Sequence, residues 1–473
     1  MVLGAGSGRL LRTCGLQVLI ERQRSLWPNA WEPWLPEPAL SRSPLADLPA
    51  ESPLRGLVDL LHLGGEVDAD AVGPDLRAAL LADGLAEAGG DPPGDDKALR
   101  PGSWQLTAFR GLLAAASREY GTAAEDVHLG EDSLRFTDAV LAAAPRGHVL
   151  DVGCGSGVAS VAAARSAARV TAIDVLAAAC AATRLTAGLN QLARTVRCEQ
   201  DDFTQQPPAR GVDAMVANLP GVPVPVDVAY PVAGDGGPDG LALIRRLWHW
   251  AAPTLSAAPA GLLVMRFQAL GPAAAPAVLP ELREIFGPGC DITVVTDSRV
   301  PVLVRNAITA HNAAGLNPPT GAADLLDRIT AGTTRLGGSH YHCSTLEVRF
   351  AGDGITRHVA TGPPLWFDRR YRQLRSYRPD GQPLVQRYLL ALRAAPDEFW
   401  SVGGPDAVDR TLPRLDAVAQ ALGDGRTAAE VAGEVLGVPL AADPLRFAAA
   451  ALSVALIAQV LTETRVPRNG EPR

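Results

Sequence analysis

The stretch 149-VLDVGCGSGVAS-160 decides how the chain is read. An apolar run, VLDV (149–152), meets three alternating glycines, Gly153, Gly155 and Gly157, and then a segment with helical apolar spacing. Glycines at such a junction allow tight turns and let a ligand approach the backbone where a strand becomes a helix. Further strand candidates follow: VTAID (170–174), VRCEQ (196–200), DAMVAN (213–218) and LLVMRF (262–267). Helical stretches such as VASVAAARSA and LAAACAATRLTAGLN separate them. This alternation predicts an α/β, doubly wound parallel sheet between about 126 and 310.

The residues around the loop discriminate between ligands. A dinucleotide fingerprint begun at Gly153 requires Gly or Ala where Val158 stands, and one begun at Gly155 fails at Ser160. An acidic residue, Asp151, precedes the first glycine instead. A carboxylate there suits the ammonium of an amino-acid-bearing cofactor and would repel a pyrophosphate. Asp174, ending the second strand, suits the two hydroxyls of a ribose. Near the third strand, Asp201-Asp202-Phe203 offers an acceptor for an adenine amino group and an aromatic neighbour.

In strand order, this set resembles the class I S-adenosylmethionine-dependent methyltransferases. The resemblance implies a seven-stranded Rossmann-like sheet. It implies S-adenosyl-L-methionine as cofactor and S-adenosyl-L-homocysteine as product. Cofactor contacts would come from Asp151, Gly153, Cys154, Gly155, Gly157, Asp174, Val175, Asp201, Asp202, Phe203 and Asn218. In 214-AMVANLPGVPVP-225, a buried strand stops on a carboxamide beside a proline. Asn218-Leu219-Pro220 is similar to the Asn-Pro-Pro-Tyr motif of the amino-methylating branch, and 235-DGGPDG…VMRF-267 is similar to a segment of the release-factor glutamine methyltransferases. In that branch the Asn side-chain oxygen and the next carbonyl, here that of Leu219, hold the target NH2 in line with the methyl. This chain departs from the motif twice. Leu219 replaces a proline and Gly221 replaces the aromatic that stacks on a planar acceptor. The expected acceptor is therefore an amino or amide nitrogen of a peptide, protein or natural product. A hydroxyl or carboxylate acceptor, which would need a base, and an inactive scaffold that only binds the cofactor are the alternatives. As a cap at a strand end, Asn218 would need no catalytic role.

The chain has 473 residues, enough for more than one core, and a net charge of −8 that argues against a nucleic-acid partner. Six scattered cysteines read as reduced thiols of a cytoplasmic protein. Neither the N-terminal segment nor 447-FAAAALSVALIAQVL-461 reads as a membrane span or secretory signal.

The expected organisation is an arm (1–45), an N-terminal helical, winged-helix-like cap (46–125), the methyltransferase core (126–310), a mixed segment (311–380) and a C-terminal helical domain (381–473). The arm contains 27-WPNAWEPWLPEP-38, and 105-QLTAFRGLLAAASREYG-121 reads as a helix. A hairpin is expected around Gly352-Asp353-Gly354, and Thr427 with Glu430 forms a capping box. Asp443-Pro444 marks a further helix start. His340-Tyr341-His342-Cys343 reads as a polar sheet edge rather than a metal site. The basic run Arg369 to Arg378 reads as a solvated helix face, or as a grip for an acidic substrate. Asp132-Ser133 is a candidate cofactor contact, and Trp248 and Trp250 read as core.

Overall fold

The structure is a computed structural model. It describes residues 3–18, 20, 52–89, 97–118, 125–205, 211–318, 320–360, 406–439, 446, 447, 450, 451, 453 and 454. The tryptophan-rich arm, the basic run at 369–378 and the helix start at Asp443 lie outside the described residues.

The chain opens with helix α1 (Ala5–Thr13), then α2 (Pro53–Val58) and strand β1 (Val67–Asp68). Helix α3 (Pro74–Ala82) and strands β2 (Ala86–Gly89), β3 (Ala98–Pro101), β4 (Trp104–Phe109) and β5 (Leu112–Ser117) follow. The sheet order β1-β3-β2 makes this region mixed α+β, where a helical, winged-helix-like cap was expected.

The helix expected at 105–121 is instead the β4–β5 hairpin. Arg110 and Gly111 both take positive φ, 52° and 72°, as a two-residue hairpin turn demands. The exposed edge of β5 is satisfied from outside. Leu113 N–H donates to Asn190 Oδ1 (3.1 Å), Ala115 N–H donates to Thr186 Oγ1 (3.0 Å), and Asn190 Nδ2 donates to Leu113 O (2.6 Å). These tertiary bonds override the local helical preference of a Leu/Ala-rich run.

The core begins with α4 (Glu131–Ala143), β6 (His148–Val152), α5 (Val158–Ala163), β7 (Arg169–Asp174), α6 (Ala177–Leu189) and β8 (Val196–Gln200). It continues with β9 (Ala214–Asn218), α7 (Ala242–Ser256), β10 (Leu262–Gly271), α8 (Leu279–Phe286) and β11 (Cys290–Pro301). Helices α9 (Val302–Ala314) and α10 (Ala322–Leu336) precede β12 (His340–Phe350) and β13 (Thr356–Ala360). The described C-terminal helices are α11 (Leu415–Gly423) and α12 (Ala428–Glu434), the latter opened by the expected Thr427/Glu430 capping box.

The sheet order is β13-β11-β12-β10-β9-β6-β7-β8, eight strands where seven were expected. β12 runs antiparallel to both its neighbours, and the other pairings are parallel. The expected hairpin at 352–354 does not form. β12 and β13 lie on opposite sides of β11. Asp291 causes this: its Oδ1 accepts from Asp353 N (3.0 Å) and Ile355 N (2.9 Å), which carries the chain across the end of β11.

Alternate residues of the strands feed two cores, as a sheet covered on both faces requires. Leu150, Val152, Met215 and Met265 pack with Trp248 and Leu247 of α7. Val149, Val170, Val216 and Val264 pack with Phe136 and Val140 of α4 and Val161 of α5. Trp248 is fully buried, and its Nε1 donates to Met265 Sδ (2.8 Å). β12 is an interior strand, so the polar-edge reading of His340–Cys343 fails. His342 is fully buried and donates from Nε2 to Pro272 O (2.8 Å). Among the described residues no cluster of three His, Cys, Asp or Glu could hold a metal, and no helix is long and apolar enough to cross a membrane.

Helix α1 lies against α6 at glycine contacts. A Cβ on Gly188 would fall 1.6 Å from Leu3 O, and one on Gly8 would fall 2.3 Å from Leu189 O. Gly188→Ala is therefore expected to prise α1 off α6 and to destabilise the protein by about 1–3 kcal/mol. Urea denaturation and limited proteolysis of the first residues would measure this. An unchanged midpoint and cleavage rate would contradict the contact.

Candidate functional site

After β6 the chain winds outward through β7 and β8, then returns to β9 on the other flank of β6. The crevice at this reversal is where open α/β sheets place ligands. A cavity of about 1000 Å³ opens there, within the range of natural ligand sites.

The glycine loop forms one wall. Gly153, Gly155 and Gly157 take φ of 71°, 51° and 74°, where a side chain is strained. Their tasks differ. A Cβ on Gly153 would meet Leu219 Cδ2 at 2.8 Å and one on Gly157 would meet Thr183 Cα at 2.7 Å, while one on Gly155 would meet nothing within 4 Å. Gly155 thus borders open space, whereas Gly157 packs against α6. The close packing on Thr183 alone requires a glycine at 157.

Asp174 ties the loop to the end of β7. Its Oδ2 accepts from Gly155 N (2.9 Å) and its Oδ1 from Leu176 N (3.0 Å). Burial raises its pKa, and these backbone donors oppose the rise. Asp151 lies deeper, 1% exposed, with Ser160 Oγ donating to its Oδ2 (2.5 Å). Burial pushes Asp151 up to about 7, with Ser160 pulling it down and the charge of Asp174 pushing it further up. Val175 is exposed beside Asp174 on the cavity wall.

Asp201 N–H donates to Asp174 O (3.0 Å), which fixes the end of β8. Asp202 Oδ1 accepts from Thr204 N (2.9 Å) in a turn, and Phe203 stacks on Trp250 with ring centroids 6.2 Å apart. All three line the cavity. Cys154 also lines it, but its Sγ lies in a thiol pair with Cys198 (3.7 Å) and accepts from Thr183 Oγ1 (3.2 Å).

Opposite the loop, Asn218 ends β9 and donates from Nδ2 to Asp132 Oδ2 (3.0 Å). His128 Nε2 stands 3.3 Å from Asp132 Oδ1. Leu219 turns its side chain beneath Gly153, and Pro220 and Gly221 continue along the cavity. The glycines of 235-DGGPDG-240 permit close packing here. A Cβ on Gly236 would meet Gly221 Cα at 2.8 Å, and one on Gly240 would meet Gly221 O at 2.7 Å.

Arg266, register partner of Asn218 on β10, is 4% exposed. It makes a bidentate pair with Asp297 at 2.5 and 2.9 Å. Burial lowers the Arg266 pKa, but Asp297 outweighs this and keeps the guanidinium charged. Asp297 is the extra residue of a bulge in β11, between Thr296 and Ser298, which aims it at the pair. Sequence reasoning missed Asp297, Gln268, Arg305 and the partnership of Asp132. One signal was available, the charged Arg266 inside the apolar run LLVMRF.

A family model of ribosomal protein L11 methyltransferases (PrmA) matches residues 131–224, from α4 through the loop after Asn218. Comparison with curated proteins finds no match. The chain is similar to the solved [4+2]-cyclase SpnF, at 19% identity over 50% of this chain and 87% of that one, with a TM-score of 0.30. It is similar to Trm5b from Pyrococcus abyssi, at 13% identity over 59% and 68% with a TM-score of 0.32. It is also similar to geranyl diphosphate C-methyltransferase from Streptomyces coelicolor A3(2), at 15% over 46% and 74% with a TM-score of 0.26. Likenesses this distant say nothing about the acceptor. The family match is to the L11 branch rather than the release-factor branch that the Asn-Leu-Pro motif resembles. The open space at Gly155, flanked by Asp151 and Asp174, fits a cofactor that carries an ammonium and a ribose. With the family match and the strand order, this makes the core a class I S-adenosylmethionine-dependent methyltransferase fold with S-adenosyl-L-methionine as its cofactor.

Proposed function

We propose that the chain methylates an amino or amide nitrogen on a peptide, protein or small-molecule acceptor. The observation that supports this is the orientation of the Asn218 carboxamide. Burial opposes ionisation of Asp132, but hydrogen bonds from His128 and Asn218 and the charge of Arg266 outweigh it, holding its pKa well below the usual carboxylate range. A carboxylate only accepts hydrogen bonds, so the amide edge that meets it is the NH2. The Asn218 Oδ1 makes no hydrogen bond among the described residues and is left for a ligand in the cavity that Asn218 lines.

When bound, the cofactor would supply a sulfonium methyl, the N–C bond forming as the C–S bond breaks to leave S-adenosyl-L-homocysteine, and the methylated nitrogen would release its extra proton to water. Asn218 Oδ1 and the Leu219 carbonyl accept the acceptor's N–H groups and aim its lone pair along that line. A neutral nitrogen then attacks without prior loss of a proton. A hydroxyl acceptor is the second reading, favoured by the His128–Asp132 pair, because a hydroxyl needs a base. Product mass spectrometry separates N-methyl from O-methyl. In this reading Asp151 faces the cofactor's ammonium and Asp174 its ribose, with Asp201, Asp202, Phe203 and Val175 around the adenine.

Two expected outcomes test these roles. Asn218→Ala should lower kcat by ~10²-fold and Asp132→Asn by about tenfold, each with little change in S-adenosylhomocysteine affinity. Labelled-methyl transfer to a panel of amines would measure this, and full activity of Asn218→Ala would refute the positioning role.

The second outcome concerns pH. The folded apo-protein keeps a proton on Asp151 up to about 7, while the unfolded chain loses it at a carboxylate's usual value. Stability from this group is therefore present at low pH and is lost as pH rises to that value. A cationic ligand favours the ionised form, so cofactor affinity should fall as pH drops below it, by up to about tenfold per unit. Asp151→Asn should flatten this dependence, weaken binding and stabilise the apo-protein above neutrality. Calorimetric titration with S-adenosylhomocysteine across pH would decide. A slope that persists in Asp151→Asn would assign the proton elsewhere.

A further inference from the structure

The cavity continues past Asn218 along the free end of β10. Arg266 is in register with Asn218, and Gln268 stands two residues further on the same face, about 7 Å beyond. Gln268 lies opposite Cys343 of β12, which lies opposite Ser298 of β11, and all three line the cavity. The Gln268 Oε1 is buried and has no hydrogen-bond partner among the described residues. Arg305, in the first turn of α9, also lines this end. Its Nε is buried without a partner, and no carboxylate among the described residues pairs with it.

The other charges on this part of the wall are accounted for. Arg266 pairs with Asp297, which Arg135 also approaches at 3.5 Å. Asp235 turns into its own loop, Oδ1 accepting from Gly237 N (2.9 Å). The Tyr230 hydroxyl accepts from Asn312 Nδ2 (3.3 Å). A half-buried guanidinium without a counter-charge and a buried carbonyl oxygen without a donor both cost stability. Two such groups facing one cavity describe a ligand that brings an anion and a hydrogen-bond donor.

We propose that Arg305 is the anion anchor of the acceptor chamber. The acceptor then carries an oxyanion, a carboxylate or a phosphate, at the far end from its methylated atom, with an N–H or O–H donated to Gln268 Oε1 between them. This rests on the reading of Asn218 as the group that holds the acceptor nitrogen. It assigns Arg305 to binding, apart from the transfer step.

The test uses the full chain saturated with S-adenosylhomocysteine, titrated calorimetrically with acetate and, separately, with inorganic phosphate. The wild type should bind one of them saturably, and the better anion names the group. Arg305→Gln should weaken that binding at least about fivefold and Arg305→Lys should restore part of it, as a point charge replaces a fork. Gln268→Leu should leave it within about twofold, since its carbonyl awaits a donor. S-adenosylhomocysteine affinity should stay unchanged in all variants, and the unfolding midpoint should not fall in Arg305→Gln or Gln268→Leu, since each removes a group that costs stability unpaired. Equal anion binding in wild type and Arg305→Gln, or none in either, overturns the proposal. So does a loss of S-adenosylhomocysteine affinity in Arg305→Gln, which would give the guanidinium to the cofactor's own carboxylate. The titration involves no methyl transfer, so an active Asn218→Ala would sink the nitrogen reading while leaving this result standing.

Discussion

The hydrogen bond from Asn218 Nδ2 to Asp132 Oδ2 joins the first turn of α4 to the end of β9, and the site is organised around it. A bond to a charged group contributes roughly 1.5–3 kcal/mol, so its weight in stability is modest. Its consequence for chemistry is larger. A free carboxamide presents either edge, and the two edges make opposite demands on a ligand. Asp132 removes the choice by remaining a carboxylate, and it remains one because His128 and Arg266 stand close enough to outweigh its burial. Arg266 in turn depends on Asp297, placed by a bulge that breaks the regular register of β11. The sheet irregularity, the buried ion pair and the amide orientation are thus successive links.

The charges of the cavity divide along its length. At the glycine loop Asp151 and Asp174 are crowded and desolvated, and both have raised pKa values. Such carboxylates gain most from a ligand that carries a cation and hydroxyls. Beyond Asn218 the lining changes to Arg266, which pairs with Asp297, and Arg305, which has no carboxylate partner among the described residues. Charge withdrawn from water without a partner is unfavourable in the free protein, so in the proposed reading each end favours a ligand of opposite character.

The glycine-loop end of the cavity was legible in the sequence and much of the wall beyond Asn218 was not. Local rules carried the first: the alternation of strands and helices, the glycines after VLDV, and carboxylates at successive strand ends all occur within short windows. The rest depended on distant partners. The β4–β5 hairpin was hidden because Asn190 and Thr186, on and just past α6, supply the bonds that hold β5 as a strand. The pairing of β13 with β11 rather than β12 was hidden because Asp291, 62 residues before Asp353, redirects the chain. Asp132 sits 86 residues before Asn218, a separation no periodicity reveals. Gly157 shows the converse limit. Its place in the loop was legible, but its close packing on Thr183 required the fold.

The two halves of the cavity also differ in what supports them. The loop, Asp151, Asp174 and Asn218 all lie within residues 131–224, the stretch that the methyltransferase family model matches, and their backing is the sheet itself. The wall beyond Asn218 is backed by a different core. Val222, Val224 and Tyr230, which follow Asn218, pack in one cluster with Val300, Tyr341 and the helices α11 and α12 through Leu415, Val418 and Val431. A binding wall is only as well placed as the residues packed behind it. Substitutions in that C-terminal core would therefore shift Tyr230 and the loop that presents Asp235 without disturbing Asp151 or Asp174. The architecture lets the wall beyond Asn218 change while the glycine loop keeps its own backing.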